Sequence, residues 1–220
     1  MESSPRGRRP ATSREDVARA ALALFSRQGF EATTVDEIAS EVGISRRTFF
    51  RYYQSKSDAV WGAFDAELAR LDRLLSEAPD EEGLMQVLRR AVVETNRFNE
   101  EQLVDLRLRM SLIRSVPTLV AHSAVRYEEW CDVVARFAAR RLGGRPTDLA
   151  PQTLARAALG AAMAAFEEWT RRDDGDLTEV VDQALALLAT GFDEDRLKGQ
   201  PLGDDGARIG EKYRQGGEPP

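Results

Sequence analysis

The chain has 220 residues and a mass of 24.5 kDa, with 42% hydrophobic residues and a formal net charge of −6. That is enough apolar material to bury a sizeable core, as one large domain or two small ones, and it excludes an inherently disordered chain. A single cysteine, Cys131, excludes an intrachain disulfide and a cysteine-rich metal site, and suits a reducing cytoplasm. No uninterrupted apolar run is long enough to span a bilayer, so a soluble cytoplasmic protein without membrane contact is expected.

Residues 1–12 hold Arg6, Arg8 and Arg9 among Ser, Gly and Pro, a composition expected to be flexible. Two readings compete: a solubilising extension, or an arginine arm for the DNA minor groove. Ser13 and Asp16 have capping-box spacing and open a helix to about Gln28, with Val17, Ala20, Ala21, Leu24 and Phe25 on one stripe. Thr34 and Glu37 repeat that spacing, and the helix they begin places Ile38 and Val42 on one face before Gly43 stops it. Ser45 is set to cap a third helix. In it Phe49 and Tyr53, one turn apart, point inward, which leaves Arg46, Arg47, Thr48, Phe50, Arg51 and Tyr52 for outward directions. A helix, a tight turn with Gly and a second helix also make an ordinary αα connection, and surface arginines ordinarily face water, so this geometry alone leaves function open.

Charge is segregated. Residues 1–56 carry ten Lys and Arg against seven Asp and Glu, a net +3, while the remainder carries −9. A basic head on an acidic body is the asymmetry of a DNA-binding regulator, although +3 is a modest signal.

Ser55 and Asp58 start a further helix, predicted to run unbroken from about Lys56 to Ala78 as a link between head and body. Apolar periodicity then predicts helices at about 81–96, 100–114, 117–141, 148–172 and 177–192, with loops at 143–146 and 173–176. No strand-like alternation and no fixed repeat occurs, so the fold class is all-α with about nine helices. Residues 193–220, rich in Gly, Pro and charge, are expected to form a disordered tail. The expected domains are thus an arm at 1–12, a three-helix helix-turn-helix domain at 13–56, a helical ligand-binding and dimerisation domain at 57–192, and the tail.

An enzyme is not expected. There is no phosphate-binding Gly-rich loop, nucleophile elbow or HExxH motif, and His122 is the only histidine. Glu128-Glu129 and Glu167-Glu168 are adjacent in sequence and so diverge by about 100° on a helix, as solvated charges do. No cofactor or metal is expected. The body instead offers aromatic and aliphatic bulk that is mostly core, and an all-α body of this kind often keeps an apolar cavity with a few polar groups. Phe64, Leu68, Phe98, Ile113, Trp130, Val134, Phe166 and Trp169 are candidates for its walls; Asn96, Arg97, Arg109 and Tyr127 are candidates for its polar groups, against the plainer readings of surface ion pairs and a helix-ending Asn. The Ala-rich run 154–166 and the apolar helix after it suit a four-helix interface between two copies, or simply a thin buried helix.

The order Thr-x-x-Glu-Ile-Ala, Val-Gly-Ile-Ser, Thr48-Phe49-Phe50 and Tyr53-x-Ser55-Lys56, preceded by Ala18 to Phe30, resembles the N-terminal domain of TetR-family transcriptional regulators. The resemblance implies a homodimeric, ligand-responsive repressor on a double-stranded, pseudo-palindromic operator, joined through its two C-terminal helices. It implies Thr34 and Lys56 on phosphates, and Ser45, Arg46, Arg47, Thr48 and Tyr52 in or beside the major groove. Phe50 stands where the family usually has tyrosine, and it cannot donate to a phosphate. Residues 7–56 more narrowly resemble the regulators that accompany mycofactocin biosynthesis genes, which implies a long-chain acyl-CoA as effector. An aromatic or drug-like ligand, or a ligand-free architectural DNA-binding dimer, are the alternatives.

Overall fold

Ser13, Thr34, Ser45 and Ser55 each turn a side-chain oxygen onto the backbone N–H three residues on, and each starts a helix of the head. The computed structural model describes residues 12–172 and 175–191. Residues 1–11 of the arm expected at 1–12, and the tail expected at 193–220, lie outside the described residues. Among the described residues all regular structure is helical: α1 (Arg14–Gln28), α2 (Val35–Glu41), α3 (Arg46–Tyr52), α4 (Lys56–Trp61), α5 (Phe64–Ser76), α6 (Leu84–Thr95), α7 (Glu100–Ser115), α8 (Pro117–Leu142), α9 (Leu149–Arg171) and α10 (Leu177–Thr190). No helix there is long and apolar enough to cross a membrane.

The capping boxes expected at Ser13/Asp16 and Thr34/Glu37 are both formed, and a third at Asn99/Gln102 opens α7. Gly43, at φ +69°, takes the left-handed backbone needed to turn from α2 into α3.

The single helix expected from Lys56 to Ala78 is two helices. α4 stops at Trp61, and Gly62 sits at φ +57° and ψ −114°, outside the helical region, before α5 begins at Phe64. The break is filled from beneath by Arg109 of α7, which comes so close that only a residue without a Cβ fits without displacing it. This break accounts for ten helices where about nine were expected.

Two apolar clusters form the core. The first joins Val17, Ala21, Phe25, Ile38, Phe49 and Tyr53 of α1 to α3 with Ala59, Val60 and Trp61 of α4, and continues onto Ile113 of α7 and Leu119 of α8. The head is therefore sealed onto the body, as expected of a domain with too little core of its own. The second lies between α5, α6, α8, α9 and α10, around Leu71, Leu88, Val134, Phe137 and Trp169.

Charged and polar side chains brace the junction. Arg126 of α8 reaches Asp65 at 2.8 Å, Glu129 at 3.1 Å and Asp58 at 3.3 Å, His122 Nε2 lies 3.1 Å from Asp58, and Arg14 of α1 meets Asp65 at 2.9 Å.

Candidate DNA-reading surface and effector cavity

The α3 surface is built by its cap. Ser45 Oγ accepts from Thr48 N–H at 3.1 Å and lies 3.0 Å from Thr48 Oγ1, which sets the first turn. Phe49 and Tyr53 are buried beneath, and Tyr53 donates from its hydroxyl to the Arg14 carbonyl at 3.0 Å, clamping α3 to α1. Outward stand Ser45, Arg46, Arg47, Phe50 and Arg51, all exposed. Arg46 is held by Asp36 of α2 at 2.8 Å and lies over the Phe50 ring at 5.4 Å. Arg47 makes no ion pair among the described residues, so its guanidinium is available to a ligand. Phe50 is 44% exposed, edge-on to Phe49.

Three other predicted contacts are engaged within the protein. Tyr52 donates its phenolic O–H to the Thr12 carbonyl at 2.7 Å, tying the base of the N-terminal arm to α3. Thr34 Oγ1 is held by its capping box with Glu37. Lys56 Nζ donates to the carbonyls of Phe30, Thr33 and Glu31 at 2.7, 3.1 and 3.3 Å and sits 4.4 Å from the centre of the Phe30 ring. The ammonium thus closes the α1–α2 connection, a role its exposed-lysine appearance in the sequence gave no sign of.

In the body, α4 to α9 enclose a cavity of about 150 Å³. Phe64, Leu68, Asn96, Phe98, Arg109, Ile113, Tyr127, Trp130 and Phe166, all singled out above, line it. Val134 and Trp169 do not. Val134 is fully buried in the second core cluster. Trp169 is buried too; its indole N–H donates to Gly175 O at 3.2 Å, and Arg107 stacks on it at 3.9 Å while donating to Trp169 O and Arg172 O. Both have the apolar bulk of cavity residues, and only the packing direction of their helices distinguishes them. Arg97 is also off the cavity, paired with Glu94 at 2.8 Å.

Glu67 lines the cavity and was missed. It interrupts the stripe Phe64-Glu67-Leu68-Leu71, and Arg109 interrupts Leu106-Arg109-Met110-Ile113, each at the second place of an i, i+3, i+4, i+7 pattern. A charge within such a stripe was the available signal. Burial pushes the Glu67 carboxyl above its ordinary value, with Arg109 and Arg70 opposing, and lowers Arg109 despite Glu67, Asp105 and Tyr53. Asn96 ends α6 and donates to Val92 O at 2.8 Å, leaving its carbonyl oxygen as the polar atom it can present. Burial also raises the Tyr127 phenol.

Head and cavity share side chains. Trp61 and Ile113 belong to the head's core and also line the cavity, and Phe64, Met110 and Tyr127 pack on one while facing the other.

A helix-turn-helix head packed on a helical body is the arrangement of a bacterial transcriptional regulator, and sequence comparison agrees for both parts. Residues 17–58 match the family model described as bacterial regulatory proteins, tetR family, and residues 82–193 match the MftR C-terminal domain. The chain belongs to the TetR family of transcriptional regulators. It is 41% identical over 187 residues to the Mycobacterium tuberculosis protein assigned as the mycofactocin biosynthesis transcriptional regulator MftR, covering 85% of this chain and 94% of that one. It is 33% identical over 179 residues to the regulator TcmR of Streptomyces glaucescens, covering 78% and 79%. Among solved structures it is similar to the Thermus thermophilus repressor FadR in complex with lauroyl-CoA, at 25% identity and a TM-score of 0.51, covering 81% and 94%.

Proposed function

We propose that the protein is a homodimeric repressor that holds a pseudo-palindromic operator and releases it when an acyl-CoA fills the cavity. The observation that carries this reading is the shared wall: Trp61 and Ile113 are at once core of the head and lining of the cavity, so a ligand that moves them changes how α3 is presented. A ligand shifts such an equilibrium only by binding one head arrangement better than the other. Two α3 helices must enter successive major grooves on one face of the duplex, which fixes the half-site spacing to the helical repeat.

The acyl-CoA assignment is supported by similarity to the FadR structure, whose bound ligand is lauroyl-CoA. It also fits a cavity walled by apolar side chains with few polar groups. One observation favours an aromatic ligand instead. A cavity of about 150 Å³ walled by apolar groups is the size that accepts benzene, and six of the lining residues here are aromatic: Trp61, Phe64, Phe98, Tyr127, Trp130 and Phe166. A long acyl chain therefore has to displace flexible walls such as Met110 and Met163.

Native mass spectrometry against a series of acyl-CoA chain lengths, with fluorescence anisotropy on DNA from upstream of the gene, tests this. Chain-length-dependent binding together with loss of the DNA complex is expected. Binding and release by planar aromatics alone transfers the assignment to the second ligand class. DNA affinity that is independent of sequence and falls steeply with salt, with no ligand effect, makes the protein an architectural binder and overturns the repressor reading.

A further inference from the structure

Arg109 is the one lining cation with its inner nitrogen sealed from solvent: Nε is buried and has no hydrogen-bond partner among the described residues. No carboxylate there lies within 4.0 Å of its guanidinium, although most arginines among the described residues are paired. Glu67 and Asp105 act on it only from a distance. A buried charged donor without an acceptor is destabilising, and an acceptor that arrives with a ligand relieves it. The same guanidinium has a second contact. A Cβ on Gly62 would stand 2.6 Å from Nη2 and 3.3 Å from Cζ, so the side chain fills the break between α4 and α5. Arg109 and Glu67 also line a smaller cleft, of about 70 Å³, whose far wall is α1 through Glu15, Ala18 and Leu22. Arg109 thus touches the cavity, the helix break and the floor of the head.

We propose that Arg109 is the polar anchor of the effector, taking the carbonyl oxygen at the end of an apolar chain, and that withdrawal of its guanidinium from Gly62 is how occupancy is read by the head. This rests on the effector reading above and deepens it. The ligand chemistry is an apolar body ending in a carbonyl acceptor, either a fatty carboxylate or an acyl thioester. Arg109 donates from Nε and a terminal nitrogen in the fork that suits such an oxygen, while Leu68, Met110 and Phe166 face the chain. A ligand without an acceptor fills the cavity but leaves Arg109 under Gly62.

Trp61 and Trp130 line the cavity, so intrinsic fluorescence of the full chain follows its filling. Wild type, Arg109→Met and Arg109→Lys are titrated with decanoate, decanoyl-CoA and toluene, and the DNA complex is followed in parallel; thermal unfolding confirms that each variant is folded. The expected result is a loss of about tenfold or more in affinity for the carbonyl probes in Arg109→Met, the scale of one charge-assisted hydrogen bond, with toluene unchanged and partial recovery in Arg109→Lys. Response to decanoate alone identifies the carboxylate as source, and response to decanoyl-CoA alone the thioester; either supports the anchor. DNA release by the carbonyl probes is expected in wild type and lost in Arg109→Met even at saturation. Equal loss for toluene and the carbonyl probes means that Arg109 only shapes the cavity, and overturns the proposal. Undiminished carbonyl binding in Arg109→Met also overturns it, while the effector reading stands. No response of wild type to any probe overturns both.

Discussion

Arg47 and Ser45 lie two residues apart on α3 and act on different quantities. Ser45 satisfies the Thr48 amide at the start of a helix of only seven residues. Replacing Ser45 by Ala is expected to cost about 1 kcal/mol of stability, read from the midpoint of urea unfolding. Arg47, exposed and unpaired among the described residues, stabilises little in the folded protein. Arg47→Ala is expected to leave the unfolding midpoint in place and to cost about 1–3 kcal/mol of operator affinity, relaxing preference at one base pair in a binding titration over single-base variants. Glu37 carries the pH dependence of the neighbouring helix. Its carboxylate accepts from Thr34 N–H at 2.7 Å and Thr34 Oγ1 at 2.8 Å, which holds its pKa below the ordinary 4.5. The charged form is favoured by folding, so the stability it lends is complete above the range where a free glutamate titrates and is lost as pH falls through its lowered value. Thermal melts of Glu37→Gln are expected to lie below wild type at neutral pH, with the gap closing as the pH is taken down through and below 4.5.

At the scale of elements, the break between α4 and α5 is the feature on which the proposed mechanism turns. A continuous helix transmits motion as a rod, whereas a break such as that at Gly62 lets two helices turn about the side chain packed beneath them. Ala at 62 meets both an unfavourable backbone at φ +57° and the Arg109 guanidinium. The backbone term alone is on the order of 1–3 kcal/mol. Gly62→Ala is therefore expected to lower thermal stability and to blunt ligand-driven DNA release, measured by anisotropy with saturating decanoyl-CoA. The outer face of α9 bears on the proposed dimerisation. Gly160, Met163 and Ala164 are exposed there, and a Cβ at Gly160 meets nothing within 4 Å in this chain. A larger residue fits the isolated chain but not a close helix–helix contact. Gly160→Arg is expected to preserve the helical circular dichroism while halving the mass in light scattering; a dimer that persists removes α9 from the proposed interface.

For the molecule as a whole, the proposed dimerisation and DNA binding are linked by effective concentration. Joining two heads makes the second engagement intramolecular and raises affinity by about 10² to 10⁴. The charge split between head and body then orients the proposed dimer towards a polyanion despite a net charge of −6. The head was legible residue by residue because its signals are local. Capping boxes, the Gly43 turn and the inward pair Phe49 and Tyr53 each depend on residues within four positions of one another. The class of the body was legible from helical periodicity; of the residues that line the cavity, Phe64, Leu68, Phe98, Ile113, Trp130 and Phe166 stood out by bulk and spacing, and Asn96, Arg109 and Tyr127 as polar groups among them. Val134 and Trp169 were misplaced because periodicity gives the buried face of a helix and not which neighbour covers it.

The sequence by itself determined the helices, their caps and the basic, aromatic outer face of α3, since these follow from interactions at one-turn range. Only the tertiary structure decided that Lys56 closes the Phe30–Thr33 turn, that α4 and α5 part at Gly62, and that Glu67 and Arg109 share a cavity wall with Trp61. Each of those depends on groups brought together from distant parts of the chain, Gly62 and Arg109 among them; a charge set in an apolar stripe marks Glu67 and Arg109 as unusual, but which groups they meet is not encoded within one turn of a helix.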